Sequence, residues 1–245
     1  MDKAMARLSL LPMVLPLLLV AGCNTQNWDA GPGQTESQTV KLGDTKSAQV
    51  EIEMPAGDLD VGADARELLE ADFSYSSPSS KPQVEYNVSG GQGRLMIRQP
   101  GSVHGPGSGH NKWDLHLSNK VPLELKVEQG AGRVNLTLGG LSLTRLDLDL
   151  GAGEANVDLT GDWKSDLTAN INGGVGKATI RLPRDVGVRA TAHGGIGSIN
   201  AHDLNKNGDA YVNDAYGKSP VTVKVNVEGG VGEINLELGI APPSV

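Results

Sequence analysis

The stretch Val121-Pro-Leu-Glu-Leu-Lys-Val-Glu-Gln-Gly-Ala-Gly-Arg-Val-Asn-Leu-Thr-Leu138 decides how this chain is read. Leu123, Leu125 and Val127 alternate with polar residues, and so do Val134, Leu136 and Leu138, with Gly130-Ala131-Gly132 between the two runs. Alternation with period two is the pattern of strands with one buried face. Gly-x-Gly supplies backbone that can take positive φ without a Cβ clash, as the corner of a coil requires.

The same sentence recurs. Further corners lie at Gly151-Ala152-Gly153, Gly174-Val175-Gly176, Gly195-Ile196-Gly197 and Gly230-Val231-Gly232, and successive corners begin 21, 23, 21 and 35 residues apart. The last interval equals one repeat of 21 plus an insertion of 14. A two-strand unit cannot bury its apolar face alone, so copies must stack. The sequence therefore predicts an all-β, β-solenoid-like stack of two-strand repeats of about 21–23 residues with Gly-x-Gly corners. A sandwich or barrel of short antiparallel hairpins is the alternative the same spacing allows.

Working outward, residues 121–240 form the repeat region and 40–120 a less regular β region that caps its first face. In that region Pro55-Ala56-Gly57 reads as a turn, Arg66–Ala71 as a short helical turn, and Gly91-Gln92-Gly93 as a degenerate corner. Pro100–Gly109 is a low-complexity Gly/Pro/Ser excursion, and 241–245 is a tail. Residues 23–39 are polar, without apolar period, and read as a flexible tether.

Residues 1–22 carry a charged start (Lys3, Arg7) and the apolar run Leu8–Val20, too short for a typical span and closing in small residues, as a secretion signal does. The run ends Leu19-Val20-Ala21-Gly22-Cys23, which resembles the lipobox of bacterial lipoproteins. That resemblance implies diacylglyceryl attachment at Cys23, the chain's sole cysteine, and a membrane partner reached through lipid. Two or more acyl chains hold a protein firmly where one does not. With Asn24 following, the implied location is the cell envelope, in the outer membrane where the organism has two membranes.

After residues 1–22 the chain keeps 19 Lys and Arg against 28 Asp and Glu, a net charge of −9, which opposes nucleic-acid binding. Aromatic residues make up 3%, leaving few faces on which sugars or bases could stack. Glycine, at 33 of 245, is nearly twice its average share of about 7%, and the excess falls on corners.

With the corners stand Leu159-Thr160-Gly161-Asp162-Trp163, Leu182-Pro183-Arg184-Asp185-Val186-Gly187-Val188, the block Gly208–Ser219 and Glu228–Leu236. On these residues the body from about Val40 to Gly239 resembles bacterial toast-rack domain proteins. That group is related to adhesin-type β-repeat domains and to envelope proteins that respond to cell-wall-active antibiotics. The resemblance implies an all-β repeat fold and an envelope role, but this chain shows none of the further membrane helices of the stress-response members.

Candidate sites are few. Asp203, Asn205, Asn207, Gly208, Asp209 and Asp214 occupy positions 1, 3, 5, 6, 7 and 12 of a calcium-loop pattern, though Asn207-Gly208-Asp209 is also a strong hairpin turn. His104, His110, His116, His193 and His202 show no ligand spacing and read as surface residues. Asp147 and Asp149 share the outer face of one strand, where a glycosidase pair or plain solvation are both conceivable. The corners lack the Lys-Ser/Thr ending of phosphate loops and the period of calcium-binding nonapeptides. No cofactor, catalytic residue or dedicated metal site is expected.

The functional expectation is a non-catalytic, adhesin-like interaction or scaffold module whose partner is another envelope protein or a glycan. A calcium-binding or glycan-binding module is the alternative, self-assembly through exposed repeat ends a third, and an envelope hydrolase a remote one.

Overall fold

The computed structural model describes residues 33–100 and 111–239. Within them the chain forms thirteen strands and one 3₁₀ turn at Pro78–Ser80. Six strands are long: β2 (Ser47–Gly62), β7 (Leu123–Thr137), β8 (Leu143–Asp158), β9 (Leu167–Leu182), β10 (Gly187–His202) and β13 (Thr222–Leu238). Each bends at its glycine corner into two arms and lies parallel to the next in register. Inward residues of both arms, such as Leu125, Val127, Val134 and Leu136 of β7, are buried together and make the core between the arms. Parallel pairing sets aside the hairpin sandwich or barrel.

The corners form one column: Gly57, Gly132, Gly153, Gly176, Gly232, Gly197. A Cβ on Gly153 would lie 1.9 Å from the carbonyl oxygen of Gly132, and one on Gly176 would lie 1.7 Å from that of Gly153. The first glycine of each corner is hemmed in likewise, Gly151 by the oxygen of Gly130 at 2.4 Å. Both glycines are thus required by the neighbouring coil's backbone, and the second also by its φ, 137° at Gly153.

The stack does not follow chain order. β13 lies between β9 and β10, pairing with both along nearly its whole length. After β10 the chain must pass beyond that strand and return to a slot beside β9, and the 14 extra residues make this path. They form the hairpin β11 (Asn205–Asn207) and β12 (Ala210–Val212), with β12 antiparallel to β10 over Arg189–Thr191. Asn213, buried, then fastens the return: its Oδ1 accepts from Val188 N at 2.9 Å and its Nδ2 donates to Val186 O at 2.7 Å.

The opposite end departs from several expectations. Pro55-Ala56-Gly57 is a full corner, so β2 extends the repeat upstream of residue 121. Beyond β2, β5 (Gln92–Arg98) and β6 (Lys112–Leu117) each pair with one arm and together make a split coil. Asn111 stands in for its corner: its carbonyl accepts from Asp58 N at 2.9 Å, and its amide bridges Ala56 O and Gln99. β4 (Gln83–Ser89) covers β5, while β3 (Leu69–Tyr75) covers β6 and β1 (Gln34–Val40) covers β3, all antiparallel.

Gly91-Gln92-Gly93 is therefore not a corner. Gly90 and Gly91, with φ of 60° and 82°, form the two-residue turn between β4 and β5, where both positions need positive φ. The helical turn expected at Arg66–Ala71 is absent, because Leu69, Ala71, Phe73 and Tyr75 alternate inward as β3, with Phe73 edge-on to Trp113 at 5.5 Å. The segment read as a tether enters the sheet at Gln34, since β1 finds its backbone partners on β3. Pro100–Gly109 and the 241–245 tail lie outside the described residues but for Pro100.

The corner geometry makes a paired prediction. Gly153→Ala, meeting both a carbonyl and an unfavourable φ, should cost more than about 3 kcal/mol of unfolding free energy or prevent folding. A Cβ on Gly173 meets nothing within 4 Å, so Gly173→Ala should be neutral or gain about 0.4–1 kcal/mol, as urea denaturation would read.

Candidate functional site

Stacking in register turns each outward position into a row across the coils, with neighbours about 4.8 Å apart. Three rows and one interior slot define the chemistry of the corner region.

The first row is Glu53, Glu128, Asp149, Asn172, Glu228 and His193, the outward residues just before the corner. It flanks a trough of about 790 Å³ floored by Gly130, Gly151, Gly174 and Gly230 and ended by Gln99. Asn172 donates to Asp149 at 2.7 Å, and Lys126 pairs with Glu128 at 2.5 Å. The trough is acidic, backbone-floored and open along its length.

The second row runs Glu51, Lys126, Asp147, Asn170, Asn226, Thr191. Asn170 donates to Asp147 at 2.8 Å and accepts from Asn226 at 3.0 Å; Thr191 donates to Asn226 at 2.9 Å. Burial alone would raise the Asp147 pKa, but hydrogen bonds from Arg145 and Asn170, with Lys126 nearby, outweigh it and hold the carboxyl below its ordinary value. Lys126, bonded to Glu128 and Glu51, is pushed up. On the other arm the third row is Asp60, Asn135, Asn156, Thr179, Asn235, Asn200, where Asn135 donates to Asp60 at 2.7 Å and Asn156 to Asn135 at 3.1 Å.

The slot lies inside the bend. In β2, β7 and β8 the apex position holds Met54, Gln129 and Leu150, all buried; in β9, β13 and β10 the matching residues are Gly173, Gly229 and Gly194. Without those side chains a space of about 180 Å³ remains, lined by Ile171, Val227, Ile199 and Ile234 and walled by Leu150. The middle corner residue grows where the apex empties, from Ala131 and Ala152 to Val175, Val231 and Ile196, which are 56%, 46% and 73% exposed.

Asp147 and Asp149 stand on the outer face of β8 in separate rows, each accepting a hydrogen bond from its own asparagine. The calcium-pattern residues form a hairpin: Gly208 (φ 64°) and Asp209 make its two-residue turn, Asp203 faces Arg184 at 3.4 Å, Asp209 faces Arg189 at 3.2 Å, and Asn205 bonds Asp214. Among the described residues no group of three His, Cys, Asp or Glu side chains is placed to hold a metal ion. His116 contacts Ala63 O and Asp114, His193 ends the trough row, and His202 ends β10. Cys23, His104 and His110 lie outside the described residues. The asparagine rows and Asn213 escaped sequence reading, although asparagines recurring at matched places (135, 156, 200, 235) were the available signal.

Residues 29–181, from before β1 into β9, match the family described as the N-terminal domain of toast_rack, DUF2154. The chain belongs to the toast-rack family. The crystal structure of a "putative cell adhesion protein" from Clostridium sporogenes ATCC 15579 shares the toast-rack architecture, with 31% identity, 85% of this chain and 100% of that one covered, and a TM-score of 0.79. A "putative adhesin" from Bacteroides fragilis NCTC 9343 is 11% identical over 84% of this chain and 97% of that one, with a TM-score of 0.32, a likeness too distant to bear on function. No curated protein matches this toast-rack chain in sequence.

The lowered pKa of Asp147 fixes a sign. Its stabilising contribution is present above the unfolded value near 4 and is lost as pH falls below that value and through the lower folded one. Asp147→Asn should flatten the acid limb of stability in that window, whereas Asn170→Ala should cost about 1 kcal/mol at neutral pH, both read by urea titration.

Proposed function

We propose that this toast-rack protein is a non-catalytic, adhesin-like interaction module of the bacterial cell envelope, anchored by lipid on Cys23, that grips an extended partner along the trough. The observation that carries this reading is the trough itself: five stacked coils present one continuous groove whose floor is backbone and whose rim is carboxylate and amide. Such a surface suits a long partner rich in hydroxyl or amine donors, and of the two partner classes expected from sequence it favours glycan. The name carried by the Clostridium sporogenes relative, at 31% identity, supports an adhesive role.

Anchoring and gripping are tested separately. The wild-type chain expressed in bacteria should enter the detergent phase on phase partition, and Cys23→Ser should stay in the aqueous phase; equal partition would remove the anchor. On immobilised cell-wall glycan, Glu128→Gln, Asp149→Asn and Glu228→Gln together should abolish retention. The matched set Glu154→Gln, Glu233→Gln and Glu237→Gln on the other arm should keep it. Equal loss in both sets, or none in either, would count against the trough.

A further inference from the structure

The two ends of the stack are treated differently. At one end β4 covers β5 and β3 covers β6, so both arms of the split coil are closed. At the other end β12 covers β10 only over Arg189–Thr191, and from Ala192 to His202 the strand pairs on one side alone, with β13. This open run carries no Lys, Arg, Asp, Glu or Pro, the residues by which proteins blunt an edge strand. Ile196, 73% exposed, stands in its middle.

The edge is bent, which restricts what can pair with it. From β8 onward the oxygens of one coil's corner glycines occupy the Cβ positions of the next coil's, as Gly232 O does for Gly197 at 1.7 Å and Gly230 O for Gly195 at 2.5 Å. By the same geometry the carbonyls of Gly195 and Gly197 point off the open end. A straight strand can follow one arm but not both; a strand that follows both must carry a corner of its own. Among the described residues the Gly-x-Gly strand with a free edge is β10 itself.

The open run is also centred on its corner. Gly197 is its midpoint, so a half-turn about the bisector of the bend carries one arm onto the other and pairs Ala192 with His202, His193 with Ala201, Gly194 with Asn200, Gly195 with Ile199, and Ile196 with Ser198 of the other copy. All eleven residues are then paired antiparallel, and pairing stops where β12 begins. No like charges oppose one another, and the apolar slot of each copy, walled at its far end by Leu150, abuts the slot of the other. A two-fold interface uses the same edge of both copies and leaves neither β10 edge free, so the assembly closes at two copies.

We infer that β10 of this protein is the interface of a two-fold dimer, in which the Ala192–His202 edges of two copies of the chain join their stacks into one continuous sheet. This does not rest on the trough or the lipid anchor.

Sedimentation of the full chain carrying Cys23→Ser should show a concentration-dependent dimer and nothing larger. Ser198→Lys should be monomeric with an unchanged melting temperature. In the same background, mixing Ile196→Cys chains with Ser198→Cys chains should give a disulfide-linked pair under mild oxidation in at least tenfold excess over either chain alone, which also fixes the register. A monomer at millimolar concentration without cross-link would overturn the inference. So would equal cross-linking by each variant alone, or cross-linking of Ile196→Cys to a different protein in cells, which would assign the edge to a foreign strand.

Discussion

In this molecule backbone packs where side chains would ordinarily stand. At each bend from β7 onward the oxygens of one coil fill the volume that a Cβ of the next would need, so a coil can take its place there only if its corner is glycine at both positions and sits in register with the coil before it; the first coil, β2, carries Pro55 at the first position and keeps only Gly57. This contact fixes the stacking distance, the alignment of the arms and the polarity of the stack. Everything outward of it is free to vary, because side chains beyond the corner enter no shared volume.

Register then does the rest. Once corners align, a single outward position becomes a row six coils long, and small polar residues at that position bond to their neighbours across strands. The carboxylate row and the asparagine rows are two uses of the same device, one leaving acceptors toward solvent and the other consuming them internally. The interior behaves alike: replacing Met54, Gln129 and Leu150 by glycine in the last three coils empties a slot without disturbing the pairing, because the corner backbone, not the apex side chain, holds the coils together.

Much of this was legible in the sequence, and what was not has physical reasons. The alternation around Leu123–Leu138 and the spacing of Gly-x-Gly announced coils and corners directly. The position of β13 was not legible, since a parallel strand with Gly230-Val231-Gly232 can accept either neighbour, and only the path of Asn205–Pro220 places it between β9 and β10. Gly91 misled because glycine pairs serve both corners and hairpins; a corner needs positive φ at its second glycine, whereas the β4–β5 turn needs it at Gly90 and Gly91 together. β1 was hidden because Gln34–Val40 is an outer strand held by backbone bonds, with no apolar face to declare it. Of the site, Glu128 and Asp149 were visible as residues but not as neighbours, because their row exists only through register.

The last three coils stack with their corners in the order Gly176, Gly232, Gly197. Amide-to-Hα nuclear Overhauser effects in a glycine-labelled sample read this order directly. Contacts of Gly232 with both Gly176 and Gly197, and none between Gly176 and Gly197, are the expected result. A direct Gly176–Gly197 contact would mean that the coils stack in chain order and would contradict it.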